Sequence, residues 1–191
     1  ILGTMLAFRI SEVMDGKQIV VIEKEDEVAR HTSSRNTGVL HRPFYLDPRS
    51  KGKFARCAQE SYGWWKEYAA RKNLPWREVG TLEVALNDAQ CGRLKKYKQW
   101  SLQNGMADDE VRILSGQEVR EIEPKVRCAG ALLCTTDTAV DFGAFTRALK
   151  EDAQARGVRF LFWCEVGEIM EGTDDVGLGL VPSRGGGPRP P

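Results

Sequence analysis

Two spacings in this sequence put chemistry-bearing residues where a nucleotide could be held. Gly3 opens an amphipathic stretch, and Glu23 follows 20 residues later at the end of the apolar run Gln18-Ile19-Val20-Val21-Ile22. A glycine at a helix N-terminus helps the backbone approach a pyrophosphate, and an acid about 20 residues on accepts hydrogen bonds from ribose hydroxyls. Taken alone, the pair equally describes an ordinary helix–strand unit of an α/β protein. A second run, His31-Thr32-Ser33-Ser34-Arg35-Asn36-Thr37-Gly38-Val39-Leu40-His41, gathers adjacent hydroxyls, a guanidinium, an amide and a glycine in one segment. Such a loop offers several donors to phosphate and ring heteroatoms, and without context it is also an ordinary solvated loop.

The elements that must carry these residues follow from periodicity and caps. Residues 2–14 read as a helix with Leu2, Leu6, Ile10 and Val13 on one face, and Asp15-Gly16 as a turn into a buried parallel-type strand at 18–23. Residues 24–49 are irregular. Phe54, Cys57, Ala58, Trp65, Tyr68 and Ala69 then recur at helical spacing as far as Leu74-Pro75. Thr81 to Leu86 is a strand with Leu82, Val84 and Leu86 inward, and Asn87 caps a helix that Asn104-Gly105 ends. Ser115 and Glu118 form a capping box before a short helix, 128–134 is a strand, and Asp141 caps a helix running to Arg156. Gly157 terminates that helix ahead of strands at 158–162 and 166–170. Residues 171–191, rich in Gly and Pro, are expected to be a disordered tail.

Composition removes several classes of function. With 28 Lys plus Arg against 27 Asp plus Glu, the formal charge of +1 gives no reason to expect nucleic acid as a partner. Five Cys without a CxxC pair and only two His predict no metal site and a reducing setting. No apolar run approaches the roughly 18 residues of a transmembrane helix, so a cytoplasmic or membrane-peripheral protein is expected. Trp64, Trp65 and Trp76 read as core or domain contacts, Cys128 and Cys134 as an unreactive pair, and Lys95, Lys96 and Lys98 as a solvated helix face.

At the residue level the chain resembles a known family. Val21-Ile22-Glu23-Lys24, followed by Thr32-Ser33-Ser34-Arg35-Asn36-Thr37-Gly38-Val39-Leu40-His41, is similar to the flavin-binding segment of the D-amino-acid-oxidase-like FAD-dependent oxidoreductases. The L-2-hydroxyglutarate oxidase or dehydrogenase branch, whose segment runs roughly His-Asn-Ser-Gly-Val-Ile-His, is the nearest in pattern. Val79-Gly80-Thr81-Leu82-Glu83-Val84-Ala85, Leu102-Gln103-Asn104-Gly105, the stop at Glu121-Ile122-Glu123-Pro124, and Val140-Asp141 fall in that branch's order. The resemblance covers about residues 1–170.

The resemblance implies an α/β protein in which a Rossmann-like FAD-binding domain (1–45 and 140–170) is interrupted by a mixed α+β substrate domain starting at 46–139. The absent first strand and leading glycines predict a chain truncated at both ends. Carried over position by position, Gly3 is the third fingerprint glycine, packing helix on strand, and Glu23 is the ribose acid with Lys24 beside the adenosine. Thr32, Ser33, Ser34, Asn36 and Thr37 run along the pyrophosphate and ribityl chain, His41 lies near the isoalloxazine ring, and Val166 lies against the adenine. Arg42-Pro43 departs from the branch's small residue and Gly and brings a permanent charge to the substrate side. The implied reaction oxidises a small 2-hydroxy acid, L-2-hydroxyglutarate-like, to the 2-oxo acid with FAD as hydride acceptor and oxygen or a quinone as final electron acceptor. The alternatives are oxidation of an amino acid or glycerol 3-phosphate, or a catalytically inactive fragment.

Overall fold

The computed structural model describes residues 1–171 and 176–182. In chain order its elements are α1 (Leu2–Ile10), β1 (Val20–Ile22), β2 (Val39–Leu40), α2 (Pro48–Lys72), β3 (Trp76–Glu78), β4 (Thr81–Ala85), α3 (Asp88–Gln103), β5 (Val111–Ser115) and α4 (Gly116–Ile122). There follow β6 (Gly130–Cys134), β7 (Thr138–Val140), α5 (Phe142–Ala155), β8 (Arg159–Leu161), β9 (Cys164–Glu171) and β10 (Val176–Pro182). They divide into two units, residues 1–38 with 141–191, and residues 39–140.

In the first unit β1 and β8 pair in parallel, Val20 opposite Arg159 and Ile22 opposite Leu161. The Asp141 carboxylate accepts from the Ala144 amide at 2.9 Å to start α5, which buries Phe145, Leu149 and Ala153. Gly157, at φ +94°, stops α5, and the turn there closes tightly on Gly16, where an added Cβ would lie 2.0 Å from the Arg156 carbonyl oxygen. Helix α1 is shorter than its apolar period suggests, and it buries Thr4, Ala7 and Phe8 while Leu2 and Leu6 stay 85% and 61% exposed. Thr4 and Ala7 are small enough to let the helix lie close to its neighbours, so the stripe beside the expected one is the packed face. Val176–Pro182 corrects the expectation of a disordered tail, because this segment pairs antiparallel with β9. Its Val-Gly-Leu-Gly-Leu-Val alternation is a strand pattern that the glycine content obscures. Residues 172–175 and 183–191 of the expected tail lie outside the described residues.

The second unit is built on the antiparallel sheet β4-β6-β5 and the smaller sheet β2-β7-β3. Both faces of the larger sheet are covered. One packs Ala85, Val111, Leu132 and Cys134 with Leu94 of α3 and Phe44; the other packs Ala131 and Leu114, with Leu82 partly buried, against Val119 of α4. This overturns the inward set expected for β4: Ala85 is fully buried, while Val84 and Leu86 are exposed. A sheet buried on two sides has no single inward alternation to read. The caps at Asn87 and at Ser115 with Glu118 form as their spacing demands.

Candidate functional site

In the first unit the sequence-predicted residues collect around the N-terminus of α1. A cavity of about 500 Å³ is lined there by Leu2, Gly3, Thr32, Ser33, Asn36 and Phe142, and the Ile1 amino nitrogen donates to Ser33 Oγ at 2.8 Å. No side chain caps α1, so its first amides keep their hydrogen-bonding capacity on that side. The close helix–strand contact expected at Gly3 is not made, since an added Cβ would meet nothing within 4 Å. Gly3 instead borders open space, with hydroxyls and the start of a helix around it, which is a fit for an anionic phosphate. Asn36 shapes the loop by donating to the Thr32 and Ser33 carbonyls and accepting from the Gly38 amide at 2.8 Å.

Glu23 stands at the mouth of β1 with its backbone held on both sides, its amide donating to Leu161 at 2.9 Å and its carbonyl accepting from Cys164 at 3.0 Å. Its carboxylate accepts the Glu25 amide at 3.0 Å. Burial lowers the pKa of the Ile1 ammonium and the Glu23 carboxylate opposes that, so this acid is within electrostatic reach of the start of α1. Gly3, Thr32, Ser33 and Asn36 thus line one cavity, and Glu23 lies outside its lining. Ser34 differs, its hydroxyl donating to the Ala29 and His31 carbonyls. Lys24 and Thr37 are exposed outside the cavity lining, and Val166 lies on β9 opposite Leu180 with 43% of its surface exposed.

His41 belongs to the second unit. In the β2–β7 ladder Leu40 faces Thr138, and one step further His41 Nδ1 meets Asp137 Oδ2 at 2.7 Å. Asp137 is completely buried and was missed from sequence; the only local signal is a carboxylate among the hydroxyls Thr135-Thr136-Asp137-Thr138 between two apolar strands. Its Oδ2 also accepts from Thr81 Oγ1 at 2.7 Å, and its Oδ1 from the Arg42 amide at 2.6 Å and Cys134 Sγ at 3.5 Å. Burial, reinforced by the Asp137 charge, pushes the Cys134 thiol up to about 11, which leaves it a neutral donor. Tyr45 meets the His41 ring edge to face with centroids 6.3 Å apart, and burial raises its pKa.

Arg42 does not bring its charge to a substrate side. It is buried, its guanidinium 4.0 Å over the Tyr62 ring centroid and Nη2 3.1 Å from Glu110. Glu110 in turn accepts from Thr136 Oγ1 and the Ala107 amide, both at 2.8 Å. Such a paired, planar cation is a structural core element of the unit.

Among the described residues no cluster of His, Cys, Asp or Glu is arranged to hold a metal, and no helix is long and apolar enough to cross a membrane. The chain is 30% identical over 142 residues to "L-2-hydroxyglutarate dehydrogenase, mitochondrial" of Mus musculus, covering 74% of this chain and 30% of that protein. It is 28% identical over 187 residues to "Glycerol 3-phosphate dehydrogenase" of Caloramator mitchellensis, covering 96% and 37%. It therefore spans about a third of the length of these curated relatives. Its fold is similar to that of the FAD-bound L-alpha-glycerophosphate oxidase of Mycoplasma pneumoniae, with TM-score 0.79, 23% identity, and 95% of this chain and 49% of that one covered. Residues 1–186 match the family model described as DAO, FAD dependent oxidoreductase, and with nearly its whole length matched the chain belongs to that family.

Proposed function

We propose that this chain serves an FAD-dependent oxidoreductase that converts a small 2-hydroxy acid, of the L-2-hydroxyglutarate type, to the 2-oxo acid. Thr32, Ser33 and Asn36, with the start of α1 at Gly3, would hold the pyrophosphate side of FAD, and Glu23 would bind its ribose. Lys24, Ser34, Thr37 and Val166 flank the same cofactor in this reading. When bound, FAD supplies the acceptor for the hydride that leaves the substrate Cα. His41 takes the proton from the substrate hydroxyl; the C–H bond breaks with its electron pair leaving on the hydride, and the pair of the broken O–H bond completes the carbonyl. The observation that carries the reading is the family match over residues 1–186, and the hydroxyglutarate branch is favoured by the 30% identity to the mouse protein so named.

Oxidation of glycerol 3-phosphate is the second reading, supported by the similarity to the Caloramator mitchellensis protein over nearly the whole chain. Anaerobic mixing of the flavin-loaded enzyme with L-2-hydroxyglutarate, glycerol 3-phosphate or an amino-acid panel decides between them. Bleaching of the flavin by L-2-hydroxyglutarate is the expected result. Bleaching by another substrate and not by this acid overturns the assignment. Oxygen uptake against quinone reduction then identifies the final electron acceptor.

A further inference from the structure

We infer that Asp137 is a positioning residue that fixes which nitrogen of His41 carries the proton; this inference rests on the role of His41 proposed above. Four donors converge on the Asp137 carboxylate: the His41 ring and the Thr81 hydroxyl on Oδ2, the Arg42 amide and the Cys134 thiol on Oδ1. An ionised carboxylate only accepts hydrogen bonds, so the neutral His41 ring must carry its hydrogen on Nδ1 and keep its lone pair on Nε2. A free imidazole prefers the opposite tautomer. The buried carboxylate is carried on backbone just before β7 that is itself held, since the Asp137 carbonyl accepts the Val79 and Gly80 amides at 3.1 and 3.0 Å. The side chain of His41 is 42% exposed while that of Asp137 is wholly enclosed, so the acid acts through the ring and cannot itself meet a substrate.

The two partners of Oδ1 and Oδ2 make the isosteric substitution informative. In Asp137→Asn the amide oxygen must face the Arg42 N–H, which can only donate, and this turns the NH₂ group toward His41 Nδ1. The ring is then driven to the Nε2–H form and has no lone pair on Nε2 to accept a proton.

The test is imidazole nitrogen NMR on the 191-residue chain at a pH where both histidines are neutral. Only His31 and His41 contribute signals, and His31→Gln assigns them. His31 is an internal contrast, because its Nε2 lies 2.7 Å from Glu25 Oε1 and should carry the hydrogen. Expected are Nδ1–H for His41 and Nε2–H for His31, with His41 alone reversing in Asp137→Asn and not in Thr81→Val. Nε2–H at His41 in the parent protein, or an unchanged His41 in a folded Asp137→Asn, overturns the inference. Should Asp137→Asn fail to fold, the parent tautomer still decides it. In the flavin-loaded enzyme Asp137→Asn should lower kcat by about 10²-fold or more with KM little changed. If the tautomers are as stated but His41→Ala reduces flavin at the parent rate, it is the proposed role of His41 that fails.

Discussion

His41 and Glu23 divide the proposed work between proton transfer and cofactor binding, and each can be separated from a neighbour of the same type. His41→Ala should slow flavin reduction by about 10²–10⁴-fold while bound flavin stays at the parent level. His31→Gln should leave reduction nearly unchanged, because His31 is tied to Glu25 in the other unit. Stopped-flow reduction paired with flavin absorbance reads both quantities, and loss of flavin in step with rate would place His41 in binding. Glu23→Ala should weaken FAD binding by about 1.5–3 kcal/mol, the range for a hydrogen bond to a charged group. Glu25→Ala should be near neutral, since the Glu25 carboxylate engages the His31 ring. Equal losses from the two substitutions, measured by fluorescence titration, would show that the ribose contact is misassigned.

At the scale of elements, the segment after β1 is fastened to α5 by one ion pair. Lys150 Nζ lies 2.8 and 2.6 Å from the two carboxylate oxygens of Glu27, with side chains 14% and 29% exposed. Burial alone would push the Glu27 carboxyl up, but the Lys150 ammonium and the Val28 amide outweigh it and hold the group below the usual carboxylate range. A depressed acid contributes stability that is present above its unfolded pKa, about 4.3 for Glu, and disappears as pH falls through the lower folded value. Lys150→Met should therefore cost about 1 kcal/mol at neutral pH, in chemical denaturation, and the difference from the parent should close in acid. A gap that stays constant down to pH 3 would assign the loss to the Lys150 ammonium, which lies 5.6 Å over the Phe162 ring centroid, instead.

The chain spans about a third of the length of its curated relatives, and in the proposed reading its cavity of about 500 Å³ at α1 receives only part of the flavin. The 191 residues alone should bind FAD with Kd above about 1 μM, weaker than about −8 kcal/mol. Saturable quenching of flavin fluorescence at nanomolar protein would show that the remaining contacts are dispensable.

What the sequence by itself determined is what short-range bonding controls. The caps at Asn87, Ser115 and Asp141 bond amides three residues away, and the hydroxyl loop and the apolar run into Glu23 are contiguous, although the strand within that run is only Val20–Ile22. The parallel pairing of β1 with β8 was not legible in period or caps, because no local signal names a strand's partner. Only the tertiary structure decided the partner of His41, which lies 96 residues away, and the burial of Arg42 against Glu110, 68 residues away. Those contacts follow from the register of β2 and β3 on β7 and from the packing of a sheet covered on both faces. Register is set by cross-strand bonds and by the burial of both faces together, and neither leaves a period in the one-dimensional chain.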